Sequence, residues 1–492
     1  MTKSVTTSRY VPAALAAVVS GGLYFFSTGL EGFRPLVWIA PLPVLLISLR
    51  LNRSAIFVMA FTAYVLGGLN LVPYLARLVP PAVLAGQMFI PPLAFAIVCI
   101  AFRDAMVQFR HMLSFLAFPI GWTAYEYLLS IVSPHGSAGS IAYSQSAFLS
   151  IVQIASLTGV TGITFVLTLV PAGVTAAMYY RERRLRFAAI VITVVVGAGT
   201  LGYGWSRLSS PLPTQKIRAG AAAIDSCAGY FDTTERGKAL GVVNAYARLV
   251  SQMADSGAEI VVLPEKLAGI TEEYSADAFG MMRAAAARHR IFIVAGFNNL
   301  GTTPHRNMAF LFSSDGNVAG EYDKAFHIPG IESDYKRGEE LLLFDANGIT
   351  GGVAICKDLD FSRWIRQYGQ AGVEVLYVPA WDFKADAWLH SRMAVVRGIE
   401  NGFSLVRAAN EGMLTITDDR GRVLAERTSD GAGITIVADV ARGAGRTFYT
   451  AGGDWFPASI LLMLLALLLI SARRIFGKRF TDANSISQKG IL

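Results

Sequence analysis

Eight long apolar runs limit what this chain can become. Seven precede residue 210, near 11–28, 35–49, 55–76, 82–102, 112–132, 150–180 and 187–206; the eighth, near 455–472, contains an unbroken apolar stretch from Ile460 to Ile470. A bilayer is crossed by a helix of about 20 apolar residues, because a helix pairs its own backbone groups where no water can. The second run is short, and the sixth, with Gly159, Gly162 and Pro171, is expected to bend or lie partly at the interface. With 53% of its 492 residues hydrophobic, the chain reads as a membrane protein. Lys3 and Arg9 before the first run resemble the start of a signal peptide, but more spans follow and no small-residue cleavage site appears, so the first run reads as an uncleaved span.

Charge orients the spans. Short cytoplasmic loops are enriched in Lys and Arg, and the basic clusters fall on alternating connections: Lys3 and Arg9, then Arg50 and Arg53, then Arg103 and Arg110, then Arg181, Arg183, Arg184 and Arg186, and finally Arg473, Arg474, Lys478 and Arg479. An inside N-terminus and seven crossings put residues 208–454 outside the cytoplasm. The net charge of +8, from 43 basic and 35 acidic residues, is explained by these loops and forms no concentrated basic domain, so nucleic acid is not an expected partner. The divisions expected are a helical membrane domain over 1–210, a second domain over 211–450, a closing span over 451–475 and a cytoplasmic tail over 476–492.

Between the seventh and eighth runs the pattern shortens to strand-length segments alternating with amphipathic helices. Strands are expected at 217–224, 259–263, 291–297, 373–378 and 403–408, with helices at 235–254, 276–288, 362–370 and 393–400. Paired strands are expected at 307–312 with 318–322, 341–344 with 352–355, and across 415–424. This is an α/β domain of about 235 residues, enough for its own core.

Three reactive groups sit where such strands end. Glu265 follows Leu263-Pro264, Lys324 follows Tyr322-Asp323, and Cys356 follows the run Gly351 to Ile355. A thiol with a pKa near 8.5 is mostly protonated at neutral pH and needs a base or a positive charge to act as a nucleophile. Glu265 can be that base and Lys324 that charge. Lys324 would also stabilise an oxyanion together with the backbone N–H of Lys357. Glu332 can position the lysine or relay a proton, and Asp358 can orient the same network. Taken singly these are an acid, a base and a small hydrophobe. As a set at strand ends they form an active site.

The other candidates carry less. Cys99 lies in an apolar run as a lipid-facing or packing residue, Cys227 is structural, and no CxxC pair supports a disulfide framework or a zinc site. His305, His327 and His390 lack metal-ligand spacing, although His327 can line the pocket. Gly159-x-x-Gly162 lacks the strand context of a phosphate loop and reads as helix packing. No residue pattern calls for a cofactor.

These residues resemble the nitrilase superfamily of carbon–nitrogen hydrolases and, given the spans, its membrane branch, the apolipoprotein N-acyltransferases. The resemblance rests on Ala142-Tyr143-Ser144-Gln145, Gln153 to Gly162, Leu263-Pro264-Glu265, Tyr322-Asp323-Lys324, Arg392 to Gly402 and Arg407 to Asn410. It implies an αββα sandwich and a cysteine nucleophile at Cys356, with Glu265 as base, Lys324 as oxyanion stabiliser and Glu332 as supporting carboxylate. It further implies a thioester intermediate, a phospholipid acyl donor such as phosphatidylethanolamine, and a diacylglyceryl-modified lipoprotein acceptor, at the periplasmic face of a bacterial inner membrane. Trp381, Phe383 and Trp388 lie on a segment of little regular pattern and can form a substrate-contacting arm or serve as core aromatics. The departures are Lys357 and Glu411, where the family commonly has an aromatic and a glycine, and His327 to Glu332, where it has Pro-Phe-Gly-Glu. A membrane-anchored amidase that hydrolyses its acyl-enzyme and an inactive scaffold are the alternatives.

Overall fold

The computed structural model describes residues 4–30, 32–431 and 433–489. Lys3 lies outside the described residues, as do the side chains of Arg9, Arg474, Lys478 and Arg479. The chain divides into two compact units, one of residues 1–128, 164–198 and 454–492, the other of 129–163 and 199–453.

The first unit is helical. Among the described residues, seven helices are long and apolar enough to cross a membrane: Tyr10–Ser27, Arg53–Leu78, Pro81–Phe109, Ser114–Val132, Val160–Tyr179, Arg183–Ser209 and Trp455–Arg473. Six of these precede residue 210. The seventh apolar segment of that region, Arg34–Ser48, is shorter than a full crossing and divides into a 3-10 turn at Arg34–Trp38 and a helix at Leu42–Ser48. Pro35, Pro41 and Pro43 explain the division, since each lacks a backbone donor. The run expected at 150–180 is also two pieces: short turns over Leu149–Thr158, then Gly159 at φ +68°, then the helix from Val160. A left-handed glycine ends the first piece where an unbroken helix would need φ near −60°.

Ion pairs show which connections share an end of this helical unit. Arg53 meets Asp104 at 2.7 Å, and Arg110 pairs with Glu182. The loops near 50–53, 103–110 and 181–186 therefore lie together. The Asn70 amide donates to the carbonyls of Phe25 and Thr28 at 2.8 Å, fastening the far end of the first helix to the opposite turn. Inside the bundle Glu126 accepts from Trp122 Nε1 at 3.1 Å and from Thr164 Oγ1 at 2.6 Å, partners that a carboxylate away from water requires.

The second unit is built on two sheets. Its strands are β1 (Lys216–Ala223), β2 (Ile260–Val262), β3 (Gly269–Ile270), β4 (Phe292–Asn299), β5 (Arg306–Phe312), β6 (Val318–Asp323), β7 (Leu342–Ala346), β8 (Ile349–Val353), β9 (Val375–Trp381), β10 (Ser404–Asn410), β11 (Met413–Thr417), β12 (Val423–Thr428) and β13 (Ile434–Ala441). One sheet runs β13-β1-β2-β4-β5-β6, with β3 beside β4; the other runs β12-β11-β10-β9-β8-β7. Side chains alternate across a strand, and here the alternation divides the core into layers. Ala219, Ala221, Ile260, Val262 and Val294 of the first sheet pack with Val375, Tyr377, Val406 and Ala408 of the second. The opposite faces, represented by Val261, Ile293 and Phe297, pack with the helices Arg236–Asp255 and Ser275–His289. Leu376, Val378 and Leu405 pack with Ile365 and Ala394 of the helices Ser362–Gln370 and Ala387–Asn401. The result is the four-layer αββα sandwich.

Segment 129–163 is fastened to this sandwich by polar contacts. Arg397 and Glu400 are fully buried and ion-paired. Arg397 also donates to Tyr143 Oη, to Ser137 Oγ at 2.6 Å and to the Leu359 carbonyl at 2.7 Å, while Glu400 accepts from the backbone N–H of Val160 at 2.7 Å.

Candidate active site

Parallel strands bring the reactive groups to one end of the sheets. β2 runs parallel to β1 and β4, and β8 parallel to β9. Glu265 follows the carboxyl end of β2, Cys356 that of β8, and Trp381 ends β9, the strand ends at which open α/β folds place their sites.

Each residue is set by its backbone. Glu265 crosses β4 at Gly296, where a Cβ would lie 2.4 Å from the Pro264 carbonyl and 2.6 Å from Glu265 Cα, so only glycine leaves room. The Gly296 N–H donates to Pro264 and its carbonyl accepts from Leu267, at 3.1 and 3.0 Å. Lys324, immediately after β6, is held by its N–H on the Asn307 carbonyl at 2.9 Å and its own carbonyl on the Gly338 N–H at 2.9 Å. Cys356 opens the short 3-10 turn Cys356–Asp360 with φ +40°, a left-handed conformation unfavourable for a side chain and frequent where a nucleophile is held out from a strand.

The side chains form one buried network. Lys324 Nζ donates to Glu265 Oε1 at 2.7 Å and to Glu332 Oε2 at 2.9 Å, with all three residues at most 2% exposed. Asn307 Nδ2 bridges the same carboxylates, 2.6 Å from Glu265 Oε1 and 2.7 Å from Glu332 Oε1. Glu332 also accepts from the Ile328 N–H at 2.9 Å and pairs with Lys266 Nζ at 2.6 Å. Among the described residues Glu265 Oε2, Asn307 Oδ1 and His327 Nε2 are buried without a hydrogen-bond partner. Unsatisfied polar atoms grouped this way mark a place built for something to bind.

Burial and charge set the protonation states. Burial would lower the Lys324 ammonium, but the Glu265 and Glu332 carboxylates outweigh it and hold it well above its ordinary range. Burial would raise Glu332, but Lys324 and Lys266 hold its carboxyl well below the usual carboxylate range. The half-buried Cys356 is pushed well above the ordinary thiol range, first by burial and then by Glu265 and Asp382, more than Lys324 and Arg407 pull it down. The resting sulfur is therefore a thiol, lying 3.3 Å from the Trp381 carbonyl.

Asp358 joins the two halves of the site. Its Oδ1 accepts from the N–H groups of Ala325 and Phe326 at 3.0 and 2.9 Å, and its Oδ2 accepts from Tyr322 Oη at 2.7 Å and the Ile355 N–H at 2.9 Å. One buried carboxylate thus holds the residues after Lys324 against the residue before Cys356. The Lys357 side chain, where an aromatic is common, turns inward: Nζ lies 3.0 Å from Asp360 and 3.1 Å from His135 Nδ1.

Comparison with known proteins accounts for most of the chain. Residues 233–448 match the carbon-nitrogen hydrolase family, and residues 20–173 match the apolipoprotein N-acyltransferase N-terminal domain. A protein of Geobacter metallireducens named apolipoprotein N-acyltransferase is 27% identical over 94% of this chain and 95% of its own length. One of Gloeobacter violaceus, similarly named, is 25% identical over 96% of both chains. The chain belongs to the apolipoprotein N-acyltransferase family. Among solved structures, an amidase from Nesterenkonia sp. is 18% identical over 47% of this chain and 94% of its own, with a TM-score of 0.38.

Within this apolipoprotein N-acyltransferase relative, the local departures have a physical reading. Glu411 has φ +47°, a conformation glycine adopts without cost, which accounts for the glycine common there. The Glu411 carboxylate accepts from Trp381 Nε1 at 3.3 Å and lies 3.7 Å from Lys384 Nζ. Trp381 packs against Phe231 with ring centres 4.4 Å apart. Phe383 begins the turn between β9 and the next helix, its N–H on Asp386 at 2.9 Å, and Trp388 lies on that helix under the Arg392 guanidinium, 5.5 Å away. Sequence reading missed Lys266, Asn307 and the buried Asp382–Arg407 pair, 2.5 Å apart, whose charges face the thiol. Lys266 directly follows Glu265, and Arg407 lies in a stretch already matched to the family; only the fold shows that they meet. No group of three His, Cys, Asp or Glu side chains among the described residues is placed to hold a metal ion.

Proposed function

We propose that this protein transfers a fatty acyl chain from a membrane phospholipid, through a thioester on Cys356, to the α-amine of the diacylglyceryl-modified N-terminal cysteine of a lipoprotein. The reading rests above all on Glu265, whose Oε1 is engaged by Lys324 and Asn307 while its buried Oε2 has no hydrogen-bond partner among the described residues. A carboxylate anchored by one oxygen and free at the other is equipped to take a proton.

In the first half-reaction Glu265 takes the Cys356 proton as the sulfur attacks the ester carbonyl carbon. The Lys324 ammonium and the Lys357 backbone N–H stabilise the resulting oxyanion. Collapse breaks the ester C–O bond, Glu265 returns its proton to the departing lysophospholipid oxygen, and the acyl group stays on sulfur. In the second half-reaction the acceptor amine attacks the thioester, Glu265 receives the amine proton and then gives it to the leaving sulfur, and an amide is released. Because the thiol is protonated at rest, deprotonation accompanies attack. Glu332 and Asp358 position Lys324 and the Cys356 turn, and Trp381, Phe383 and Trp388 supply an apolar wall for substrate. Phosphatidylethanolamine is the donor that the family resemblance suggests.

The same reading puts the sandwich on the periplasmic side of a bacterial inner membrane. The shared end of the Arg53, Arg110 and Glu182 loops supports it, since these loops carry basic clusters expected in the cytoplasm. This orientation needs the short Arg34–Ser48 segment to return the chain across the bilayer.

The test is incubation of the full-length protein in nanodiscs with phosphatidylethanolamine bearing a labelled acyl chain. A hydroxylamine-sensitive label on Cys356, absent from Cys356→Ala and passed to a diacylated lipopeptide, is expected. Release of label only as free fatty acid would replace this reading with a hydrolase. No adduct on the wild-type protein would remove the enzyme altogether.

A further inference from the structure

The second lysine of the site, Lys266, has no role in the reaction just described. Its side chain is 5% exposed, with Nζ 2.6 Å from Glu332 Oε1 and 4.3 Å from the centre of the Tyr335 ring. Its backbone is left-handed, at φ +48°, a conformation unfavourable for a residue with a Cβ. Burying an ammonium on a strained backbone is unfavourable unless the charge is needed.

The charge count shows the need. Glu265 and Glu332 carry two negative charges against the single positive charge of Lys324. Without Lys266 the buried cluster holds a net −1, and ionising the thiol beside it would make −2. With Lys266 the cluster is neutral and ionisation leaves −1. An ammonium also has only three donors, and Lys324 uses two on the carboxylates. By taking Glu332 Oε1, Lys266 limits the pull of Glu332 on Lys324 and leaves the third donor for the sulfur or the oxyanion.

We infer that Lys266 is a positioning residue of the reaction: it balances the charge of Glu332 so that the Lys324 ammonium acts on Cys356 and its acyl intermediates. This rests on the reading of Cys356 as nucleophile and adds a second buried cation to the site. The charged groups facing the thiol are Glu265, Lys324, Asp382 and Arg407, and the titratable groups facing Glu332 are Lys324, Lys266 and His327, the last held neutral by burial and the two lysines. Lys266 therefore acts through Glu332 and Lys324 rather than directly on the sulfur.

The test is the pH dependence of Cys356 alkylation by iodoacetamide in the full-length protein, read by mass spectrometry on the Cys356 peptide. Lys266→Met is expected to move the alkylation midpoint to higher pH by about one unit, roughly tenfold in rate at neutral pH, while Lys266→Arg stays near wild type. The double variant Lys266→Met/Glu332→Gln restores a neutral cluster and is expected to bring the midpoint back, which a packing role would not do. If Lys266→Met fails to accumulate, Lys266→Gly deletes the charge while relieving the backbone and gives the same comparison. An unchanged midpoint in the charge-deleting single variants, or a double variant displaced further than the single, overturns the inference. Failure of the wild-type protein to form a labelled acyl adduct would instead overturn the parent reading, since alkylation does not depend on acyl transfer.

Discussion

Asp358→Asn perturbs the site without touching Glu265, Lys324 or Cys356. The wild-type carboxylate receives four donors, from Ala325, Phe326, Ile355 and Tyr322, at 2.7 to 3.0 Å. An amide has one accepting oxygen and can serve only one of the two pairs. If it keeps Ala325 and Phe326, its NH₂ group faces Tyr322 Oη, which can rotate to accept, and the Ile355 N–H, which cannot. The buried Ile355 donor is then unpaired at about 1–3 kcal/mol, and the remaining bonds lose their charge assistance, for a total of about 3 kcal/mol. Because Ile355 precedes Cys356, the proposed nucleophile, the loss should also appear as chemistry: a displacement of about 1 Å can cost about 10²-fold in rate. Burial pushes the Asp358 carboxyl up to about 7, against donors that favour its ionised form, so the wild-type clamp is complete only above neutral pH. The assay is the rate of labelled-acyl adduct formation on Cys356, with thermal unfolding of the same samples. Asp358→Asn is expected to lower both and to lose the rise in rate that wild type shows as pH increases through 7. Wild-type adduct rates in a fully folded Asp358→Asn protein would refute the clamp.

Three further outcomes are expected. Gly296→Ala places a methyl against Pro264 and Glu265 and should cost about 1–3 kcal/mol as overpacking, with adduct formation falling more than stability; unchanged activity would show that Glu265 tolerates displacement. Arg397→Met leaves the buried Glu400 without its cation and should cost about 3–5 kcal/mol, read as a lower unfolding temperature and faster proteolysis in 133–149, and failing if both match wild type. His390, 3.1 Å from Asp386, has its imidazole raised to about 9, against the lowering effect of burial, by that carboxylate. A folded-state value above the unfolded one means that the contribution is fully present below about pH 6.5 and is lost as pH rises through about 9. Over that interval wild type should lose more thermal stability than His390→Gln, and parallel curves would count against the pair.

What could be read from the sequence followed local pattern. Short apolar runs located β1, β4, β9 and β10, which are buried on both faces, and amphipathic spacing located the helices beside them, which bury one. Glu265, Lys324 and Cys356 were visible as reactive groups near strand ends, and Glu332 as a carboxylate eight residues past Lys324. β13 was not, because its stability comes from pairing with β1, Ala438 opposite Ala219, a partner more than 200 residues earlier. Lys266 and Asn307 carry no pattern of their own and enter the site only through Glu332 and Glu265. Ser137 and Tyr143, between the apolar runs at 112–132 and 150–180, prove to be partners of Arg397, a contact about 250 residues apart that no local pattern signals. Lys357 read as an unexplained departure because one of its partners, Asp360, is only three residues on while the other, His135, lies more than 200 residues earlier.

The Arg397–Glu400 pair has a consequence for how this enzyme can be made. Three of its partners come from residues translated before the last membrane helices of the N-terminal half, so excising residues 211–450 as a water-soluble fragment would leave the pair without Ser137, Tyr143 and the Val160 N–H. Biosynthesis faces the same order: the early piece must wait until the ribosome has delivered the rest of its fold.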